Sequence, residues 1–418
     1  MRKLVESWDN SRLEILKNYY DGKHDILRRE LEESKPNNKL IHNYGSYIVD
    51  ILQGYFIGNP VVYSGDEGLL EELKAINEYN DEQDHNSDLA RDMGIFGTAV
   101  EILYTDENAE PRIAREDPRN MRLIYSNTLN PTLEFALRRY MMNEKEIVEV
   151  YSRDEIVTYE AKSMSEIQRV QHFWQDVPIV EYFNNTDRRG DFEGVISLID
   201  AYDTNRSNKT NDLDYFTDAY LCLTGMLGTQ KEDVENMRKD RILLLDEKGQ
   251  AEYLIKPSNV EDSREQIERL NNDIHKFAKV VDMSDENFVG NASGVAMAYK
   301  LFAMKQVVAN KERKFKKGLQ RRIELICNQL SNVGKNYNYL DISIHFDRNE
   351  PINEIEKIQG ATMLMGIASH ETALTYLPSN IISDVKEELE RIEGDKMAYV
   401  DLEGEDDKEE LSNSLQES

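Results

Sequence analysis

Cysteine is scarce: the 418-residue chain contains two, Cys222 and Cys327. They lie far apart, each within a helical pattern, so no disulfide framework is indicated. Small secreted domains that depend on disulfides carry many more cysteines for their length. We expect both thiols to be small buried hydrophobic groups in a reducing compartment.

Long apolar runs are also missing. No run approaches the roughly 20 residues that a helix needs to span a bilayer. The N-terminal residues, MRKLVESWDNSRLEIL, lack the apolar core of a secretory signal. These observations predict a soluble protein made in the cytoplasm, with no membrane partner. The chain length predicts roughly two to four domains.

The motifs of several enzyme classes are absent. The sequence has no G-x-x-x-x-G-K-[ST] phosphate loop, no G-x-G-x-x-G, no H-E-x-x-H and no paired C-x-x-C. Its seven histidines lack the spacing of metal ligands. Acidic pairs such as Glu116-Asp117 are compatible with a metal-dependent nuclease, but a chain with 80 Asp and Glu residues contains such pairs by chance. We expect no catalytic residue, no metal and no cofactor, and keep the nuclease as the enzyme alternative.

Positive charge is in short supply. The 51 Lys and Arg residues are outnumbered by 80 Asp and Glu residues, which gives a net charge of −29. Such a surface repels DNA phosphates, whereas tight nonspecific binding needs several Lys or Arg contacts. The simplest interpretation is solubility. A more specific one is a protein that stays near DNA without adhering to it, and charge does not decide between them.

The chain begins with helical patterns and continues with strand patterns. Helices are predicted at about 10–20, 39–57, 67–79 and 86–95. Strands are predicted at TAVEILYT, MRLIYS, TLEFALRRYM, EIVEVYS and EIVTYE, all between Gly97 and about Phe183. The expected fold class is therefore α+β, mainly α.

The middle of the chain carries apolar residues at three-then-four spacing, which is typical of helices that pack on neighbours. One such seam runs from 199 to 223, with Arg206 and Lys209 in its middle, and a shorter seam runs from 267 to 281. Between them we predict a short helix near 230–238 and a β-hairpin that turns near Lys248-Gly249. Two long helices that flank a small tip are typical of a stalk.

A long helix is predicted from Ser293 to about Leu330. Its segment 311–322 contains seven cations and one carboxylate, a net charge of +6 in an acidic chain. This segment is either a solvated helix face or an electrostatic contact with acidic neighbouring subunits or with DNA. Gly318 in its middle predicts a kink. Two helices at about 353–367 and 381–397 and an acidic, disordered tail complete the chain.

Five segments stand out, in order, along nearly the whole chain. They are YYDGKH at 19–24, IVDILQGYFIGNPVVY at 48–63, PIVEYFNN at 178–185 leading into FEGVISLIDAYDTNRS, ENFVGNASGVAMAYK at 286–300 and KERKFKKGLQRRIELI at 311–326. Each alone is unspecific, but their joint order resembles the portal proteins, or head–tail connectors, of long-tailed bacteriophages.

The resemblance implies a portal fold: a dodecameric ring around a central channel, with each subunit divided into wing, stem, clip and crown. The implied boundaries are the wing at 1–194 and 297–350, stem helices at 195–223 and 262–285, the clip at 224–261, a tunnel loop at 286–296, the crown at 351–400 and the acidic tail at 401–418. The crown is short for the family.

Three sets of site residues follow. The implied tunnel loop, which projects into the channel, consists of Glu286, Asn287, Phe288, Val289, Gly290 and Asn291. The clip residues expected to dock terminase or an adaptor are Arg241, Glu247, Lys248 and Gln250. Acidic subunits in a ring repel one another unless cations lie at their contacts. The residues expected at the subunit interface are therefore Lys311, Arg313, Lys314, Lys317 and Arg321.

The implied function is a portal at one capsid vertex of the virion, through which the genome is packaged, retained and ejected. The implied partners are further copies of the chain, double-stranded DNA in the channel, the terminase large subunit, a head–tail adaptor, and the major capsid and scaffolding proteins. Because the chain lacks a phosphate loop, the packaging motor would be the separate terminase. A channel-less head–tail adaptor is the structural alternative, and it would lack the stem–clip–stem segment.

Overall fold

The computed structural model of the chain describes residues 2–33, 35–217, 220–224, 230–240, 250–254, 260–284, 294–348, 354–377, 381–382 and 385–394. Its contacts divide the chain into two units. The first comprises Met1–Ser284 with Lys300–Asn349, and the second Asp285–Tyr299 with Glu350–Ser418. The described elements are helices with four small sheets, which agrees with the expected α+β class.

The first two helices are α1 (Arg2–Glu6) and α2 (Ser11–Tyr20). Helix α2 ends before Gly22, whose φ of 73° lies in the left-handed region that glycine tolerates. The pattern at 10–20 therefore located this helix correctly.

Helix α3 (Tyr44–Ile57) begins later than the sequence predicted. The expected start near residue 39 is wrong, because the backbone of the preceding segment bonds to side chains far along the chain. Leu40 N donates to Ser207 Oγ at 2.9 Å, and His42 N donates to Asp203 Oδ1 at 2.8 Å. The helix starts where the side chain of Asn43 can cap it by accepting from Ser46 N.

Helix α4 (Glu67–Tyr79) has the predicted bounds, whereas α5 (Glu82–Phe96) starts four residues before the predicted position 86. The two are separated by Asp81, whose φ of 47° is left-handed. Asp is one of the few residues besides glycine that adopts this conformation. The connection between α4 and α5 is therefore two residues long, Asn80 and Asp81, and is shorter than the predicted connection at 80–85.

The strand-rich segment forms two sheets. Its strands are β2 (Thr98–Thr105), β3 (Pro111–Glu116), β4 (Met121–Tyr125), β5 (Leu133–Met142), β6 (Lys145–Tyr151), β7 (Glu155–Glu160), β8 (Glu166–Gln171) and β9 (Ile179–Phe183). The strand orders are β3-β2-β9 and β4-β5-β6-β7-β8, and all neighbours are antiparallel. The five strands named from the sequence are confirmed. Strand β8 was missed because all six of its residues are exposed, so it carries no burial pattern.

The two sheets share a core, and a second core lies on the other face of the larger sheet. The shared core contains Val100, Ala136 and Ile179. The second core contains Leu137 and Val148, with α1 packed against it. Both faces of the larger sheet are thus covered in part.

The central helices are α6 (Ile196–Thr217), α7 (Lys231–Asp240) and α8 (Val260–Ala278). The expectation of one helix to residue 223 is wrong, because α6 ends at Thr217 and a strand, β10 (Tyr220–Thr224), follows. This strand pairs antiparallel with β11 (Gln250–Leu254). A short apolar run fits helix and strand alike, and pairing with a distant strand decides between them.

The long helix is α9 (Gly294–Ser331), whose 38 residues correspond to about 57 Å if it is straight. Its Cys327 is buried, as expected, and burial raises the pKa of this thiol to about 11. The side chain of Cys222 lies outside the described residues. Strand β12 (Ile342–His345) pairs with β1 (Val62–Gly65). None of the helices in the described ranges is long and apolar enough to cross a membrane.

The second unit contains α10 (Glu354–Leu364), α11 (His370–Thr375) and a helix at 385–394. The single helix predicted at about 353–367 ends at Leu364. Ser369 then caps α11 by accepting from Thr372 N at 3.2 Å. The predicted disordered tail, 401–418, lies outside the described residues.

Candidate functional site

Helices α6 and α8, which carry the two predicted seams, pack on each other within the first unit. Ile199 of α6 and Ile274 of α8 are fully buried, whereas Leu213 and Phe277 are 61% and 60% exposed. One part of each seam is therefore used inside the chain, and another part faces outward. The exposed ring of Phe277 on α8 is available to a neighbouring molecule.

A buried histidine–aspartate cluster holds α6 to the N-terminal segment. Asp203 accepts from His24 Nδ1 at 2.6 Å and from His42 Nδ1 at 3.0 Å. Burial alone raises the pKa of Asp203, but the hydrogen bonds from His24 and His42 outweigh it, so this pKa lies below its ordinary value. Nε2 of His24 lies 3.1 Å from the carbonyl oxygen of Tyr19. Sequence patterns do not predict this cluster, because Asp203 lies more than 150 positions from both histidines.

An open cavity of about 790 Å³ lies where α3, α6 and α8 meet. Its aromatic wall includes Tyr44, Tyr47 and Tyr202, and the Tyr44 hydroxyl donates to Asn271 Oδ1 at 2.6 Å. Asp282 lies at its edge. Burial raises the pKa of Asp282, but hydrogen bonds from Ser284 and Asn271 outweigh this effect, so the pKa lies below its ordinary value. The last residue in the sequence that lines this cavity, Ser284, precedes the start of the predicted tunnel loop, Glu286, by two positions.

The tunnel loop and most of the clip site stay untested. The loop residues Glu286 to Asn291 and the clip residues Arg241, Glu247 and Lys248 lie outside the described residues. Gln250 is described: it begins β11 and pairs with Thr224 of β10. The strand at Gln250–Leu254 thus pairs with the end of the first seam.

The basic segment of α9 divides into paired and unpaired cations. Lys311, 1% exposed, donates to Asp191 Oδ2 at 2.5 Å. Because its own chain encloses Lys311, the expectation that this residue lies at a subunit interface is wrong. Arg321 is partly exposed and bonds Asp176 at 2.7 Å and Glu324 at 2.8 Å.

The remaining cations of the segment face outward. Arg313 and Lys317 are exposed, and Lys314 and Lys316 are half-buried. Arg313 bonds the neutral side chain of Asn310. Within the described part of the chain, none of these four residues forms an ion pair. Three of the five predicted interface residues, Arg313, Lys314 and Lys317, are thus available for contacts beyond the chain.

Arg322 sits at the centre of a buried charge network that the sequence did not reveal. Its guanidinium lies 2.8 Å from Glu101 Oε1 and 3.0 Å from Glu82 Oε1, and it donates to Asn86 Oδ1 at 2.9 Å. The hydroxyls of Tyr63 and Tyr182 donate to Glu82 and Glu101, each at 2.5 Å. Helix α9 is thereby tied to α5 and β2.

Electrostatics in this network favour the charged forms of the ion pairs. Burial raises the pKa of Glu101, but the charge of Arg322 and a hydrogen bond from His85 outweigh it, and the pKa is about 2. Burial lowers the pKa of Arg322, but Glu101 and Glu82 raise it well above its ordinary value. An arginine with partners on both sides is a structural element rather than a surface charge.

Known proteins are similar to this chain over most of its length. The profile of the family described as phage portal protein, SPP1 Gp6-like, matches residues 5–400. The portal protein of Bacillus phage SPP1 is 27% identical over 415 residues, covering 92% of this chain and 81% of that protein. The portal protein of Clostridium phage phiCD119 is 24% identical over 429 residues, covering 93% of each.

Solved structures show the same fold at lower identity. A chain from the neck of a native GTA (gene transfer agent) particle, computed with C12 symmetry, aligns with a TM-score of 0.51 and 13% identity over 89% of this chain and 95% of that chain. A chain from the neck of an empty GTA particle, computed with C6 symmetry, gives 0.50 and 14% over the same shares. The family profile agrees with the family resemblance of the sequence segments. The chain belongs to the SPP1 Gp6-like family of phage portal proteins.

Proposed function

We propose that twelve copies of this chain form a closed ring at one capsid vertex, whose axial channel passes double-stranded DNA during packaging and ejection. In this role the chain is structural and non-catalytic, with terminase and a head–tail adaptor docking on the clip, 224–261. The twelvefold ring is supported by the C12 symmetry named for the similar neck structure. Membership of the portal family supports the place in the virion.

The observation that carries the ring is the outward-facing cationic surface of α9. In a chain with a net charge of −29, Arg313, Lys314 and Lys317 have no carboxylate partner in the described part of their own subunit. Twelve acidic subunits repel one another, so cations concentrated at the contacts favour assembly. Each exposed pair contributes under about 1 kcal/mol, but a ring repeats it at every interface.

A head-to-tail contact between identical subunits forms a ring when the rotation from one subunit to the next divides a full turn evenly. Otherwise the contact continues into an open filament. The exposed seam residue Phe277 on α8 adds apolar contact area for a neighbour. The tunnel loop, with short polar side chains at Asn287 and Asn291, is proposed to follow passing DNA without forming the charge-assisted contacts that hold a phosphate.

Mass photometry of the purified chain at micromolar concentration tests the ring. We expect closed rings with an axial hole in end-on electron micrographs; monomers or dimers alone would refute the proposal. Changing Lys314→Glu with Lys317→Glu should lower ring yield without DNA present, most at low salt. If rings form normally and DNA retention alone changes, these residues belong to the channel instead.

A further inference from the structure

A groove on the first unit has the composition of an acceptor for lysine and arginine side chains. It is an open cavity of about 730 Å³ between α4, the start of α5 and β1. Its apolar lining includes Val61, Leu70 and Leu73, and Val61 and Leu73 are buried. Apolar walls of this kind accommodate the aliphatic stems of long cationic side chains.

The rim of the groove is acidic. Glu78, Asp81 and Asp84 line it and are exposed, and within the described ranges none of the three forms an ion pair. Among the described residues, Lys74 is the one cation that lines the groove. Glu82, on the inner wall, is 2% exposed and has one carboxylate oxygen without a hydrogen-bond partner among the described residues. The rim therefore favours a cationic occupant.

Helix geometry sets this groove and the cations of α9 on opposite sides of that helix. Arg322 faces the groove side, because it bonds Glu82 on the groove's inner wall. At about 100° per residue, Arg313 lies about 180° and Lys317 about 140° around α9 from Arg322. Arg313 and Lys317 thus point away from the side of α9 that carries Arg322 and faces the groove of the same subunit.

We propose that the groove binds the basic face of α9 from the next copy of this chain, with Arg313 and Lys317 meeting Glu78, Asp81 and Asp84. A head-to-tail ring contact requires two different, complementary patches on each subunit, and the groove and the basic face, which lie on opposite sides of α9, form such a pair. This inference rests on the proposed ring and names its acceptor surface. The choice of a second copy follows from charge: among the described residues, neither these cations nor these carboxylates form an ion pair within their own chain.

Complementation between two full-length variants tests the pairing. The basic-face variant carries Arg313→Glu with Lys317→Glu, and the groove variant carries Glu78→Lys with Asp84→Lys. Each variant alone brings like charges together at every contact, so ring yield by mass photometry should fall at least about tenfold at low salt. In an equimolar mixture, alternating subunits match reversed face with reversed groove and native face with native groove, so rings should return.

The outcomes separate this pairing from the ring itself. If the groove variant alone assembles like the unaltered chain, or if both variants fail and their mixture also fails, the pairing is overturned while the ring stands. If the unaltered chain forms no ring, the proposed function fails first. Glu71→Lys is the matched control, because it makes the same charge change on α4 at an exposed residue that does not line the groove.

Folding of the groove variant is checked by circular dichroism and by its urea midpoint. The neutral pair Glu78→Gln with Asp84→Asn supplies a second measurement, since it keeps side-chain shape and removes charge. It should lower ring yield less than the reversed pair does. An unchanged ring yield in this neutral pair, at low salt, would also overturn the pairing.

Discussion

Lys311 and Arg322 are paired with carboxylates of their own chain, and this determines what the rest of the basic segment can do. Both are 2% exposed or less. Their partners are distant in sequence: Asp191 is 120 positions from Lys311, and Glu82 is 240 from Arg322. Local charge density could not distinguish them from Arg313 or Lys317. What separates these cations is the burial of one side of α9.

We predict that Lys311→Met destabilises the subunit because Asp191 is left buried without its cation. Removing one partner of a buried ion pair costs about 3–5 kcal/mol of unfolding free energy. Changing Asp191→Asn as well should recover part of this loss, since no buried charge remains. Urea unfolding at one fixed protein concentration measures both variants.

The same pair tests where Lys311 acts. The folded fraction of the double variant should still assemble into rings, because a side chain that its own subunit encloses makes no contact with a neighbour. Ring loss in a fully folded double variant would return Lys311 to the interface.

The Arg322 network predicts a dependence of stability on acid pH. The pKa of Glu101 is about 2 in the folded chain against an ordinary 4.5. Because the unfolded chain binds this proton more readily, the stabilisation is present above about pH 4.5 and is lost as the pH falls towards 2. Glu101→Gln should be less stable at neutral pH, since Arg322 loses a charged partner.

The gap in unfolding free energy between the Glu101→Gln variant and the unaltered chain should narrow as the pH falls from about 6 to about 3. Urea unfolding at several pH values measures it. Glu134→Gln, at an exposed carboxylate of β5 that forms no ion pair among the described residues, is the control and should show a small, nearly constant difference. A constant gap for Glu101→Gln would mean that this carboxylate is not linked to acid unfolding.

Among the helices and strands, the sequence predicts correctly those whose bounds are determined by neighbouring residues. Helix α4 has its predicted bounds because its apolar residues lie on one face. Strands β2 and β7 have theirs because short runs of β-branched and aromatic residues stand between turn residues. Helix α3 starts late because Ser207 and Asp203 hold the segment before it. Helix α6 ends early because β10 pairs with a strand at Gln250–Leu254. Such long-range partners leave no periodic signal in the sequence.

Gly318, within α9, also has a packing partner that is distant in the sequence. The kink at Gly318 stays a prediction, and the structure shows a packing role for the residue: a Cβ at Gly318 would lie 2.3 Å from the ring of Tyr182. Tyr182 is fully buried, and its hydroxyl is bonded to Glu101. The ring therefore has little room to move.

We predict opposite effects for two helical Gly→Ala substitutions. Alanine is favoured over glycine in a helix interior by about 0.8–1.0 kcal/mol. Gly54→Ala on α3, where nothing lies within 4 Å of the added Cβ, should stabilise the chain. Gly318→Ala should destabilise it by about 1–3 kcal/mol, because overpacking against Tyr182 exceeds the gain. Equal shifts of the two urea midpoints would contradict the packing role.

For the whole molecule, the distribution of charge over the surface says more about its contacts with other subunits and with DNA than the net charge does. The chain is acidic overall, and its outward-facing cations on α9 lie on one side of a helix whose other side is fixed by Arg322. In the proposed ring, cations held at the subunit contacts would not face the DNA. The proposed channel would then repel passing DNA rather than bind it, which suits movement of DNA in both directions.

The last prediction concerns that channel. If 286–291 projects into it, Asn287→Lys with Asn291→Lys adds two cations per subunit, and the ring repeats them around the DNA. Each Lys that contacts a phosphate adds a salt-dependent attraction, so packaging should slow or stall at low salt and recover partly as salt rises. Rings should form as before. The control Asn287→Gln with Asn291→Gln keeps the amides and should package normally in an assay with purified terminase, ATP and empty capsids. Normal packaging by the lysine variant would remove this segment from the path of the DNA.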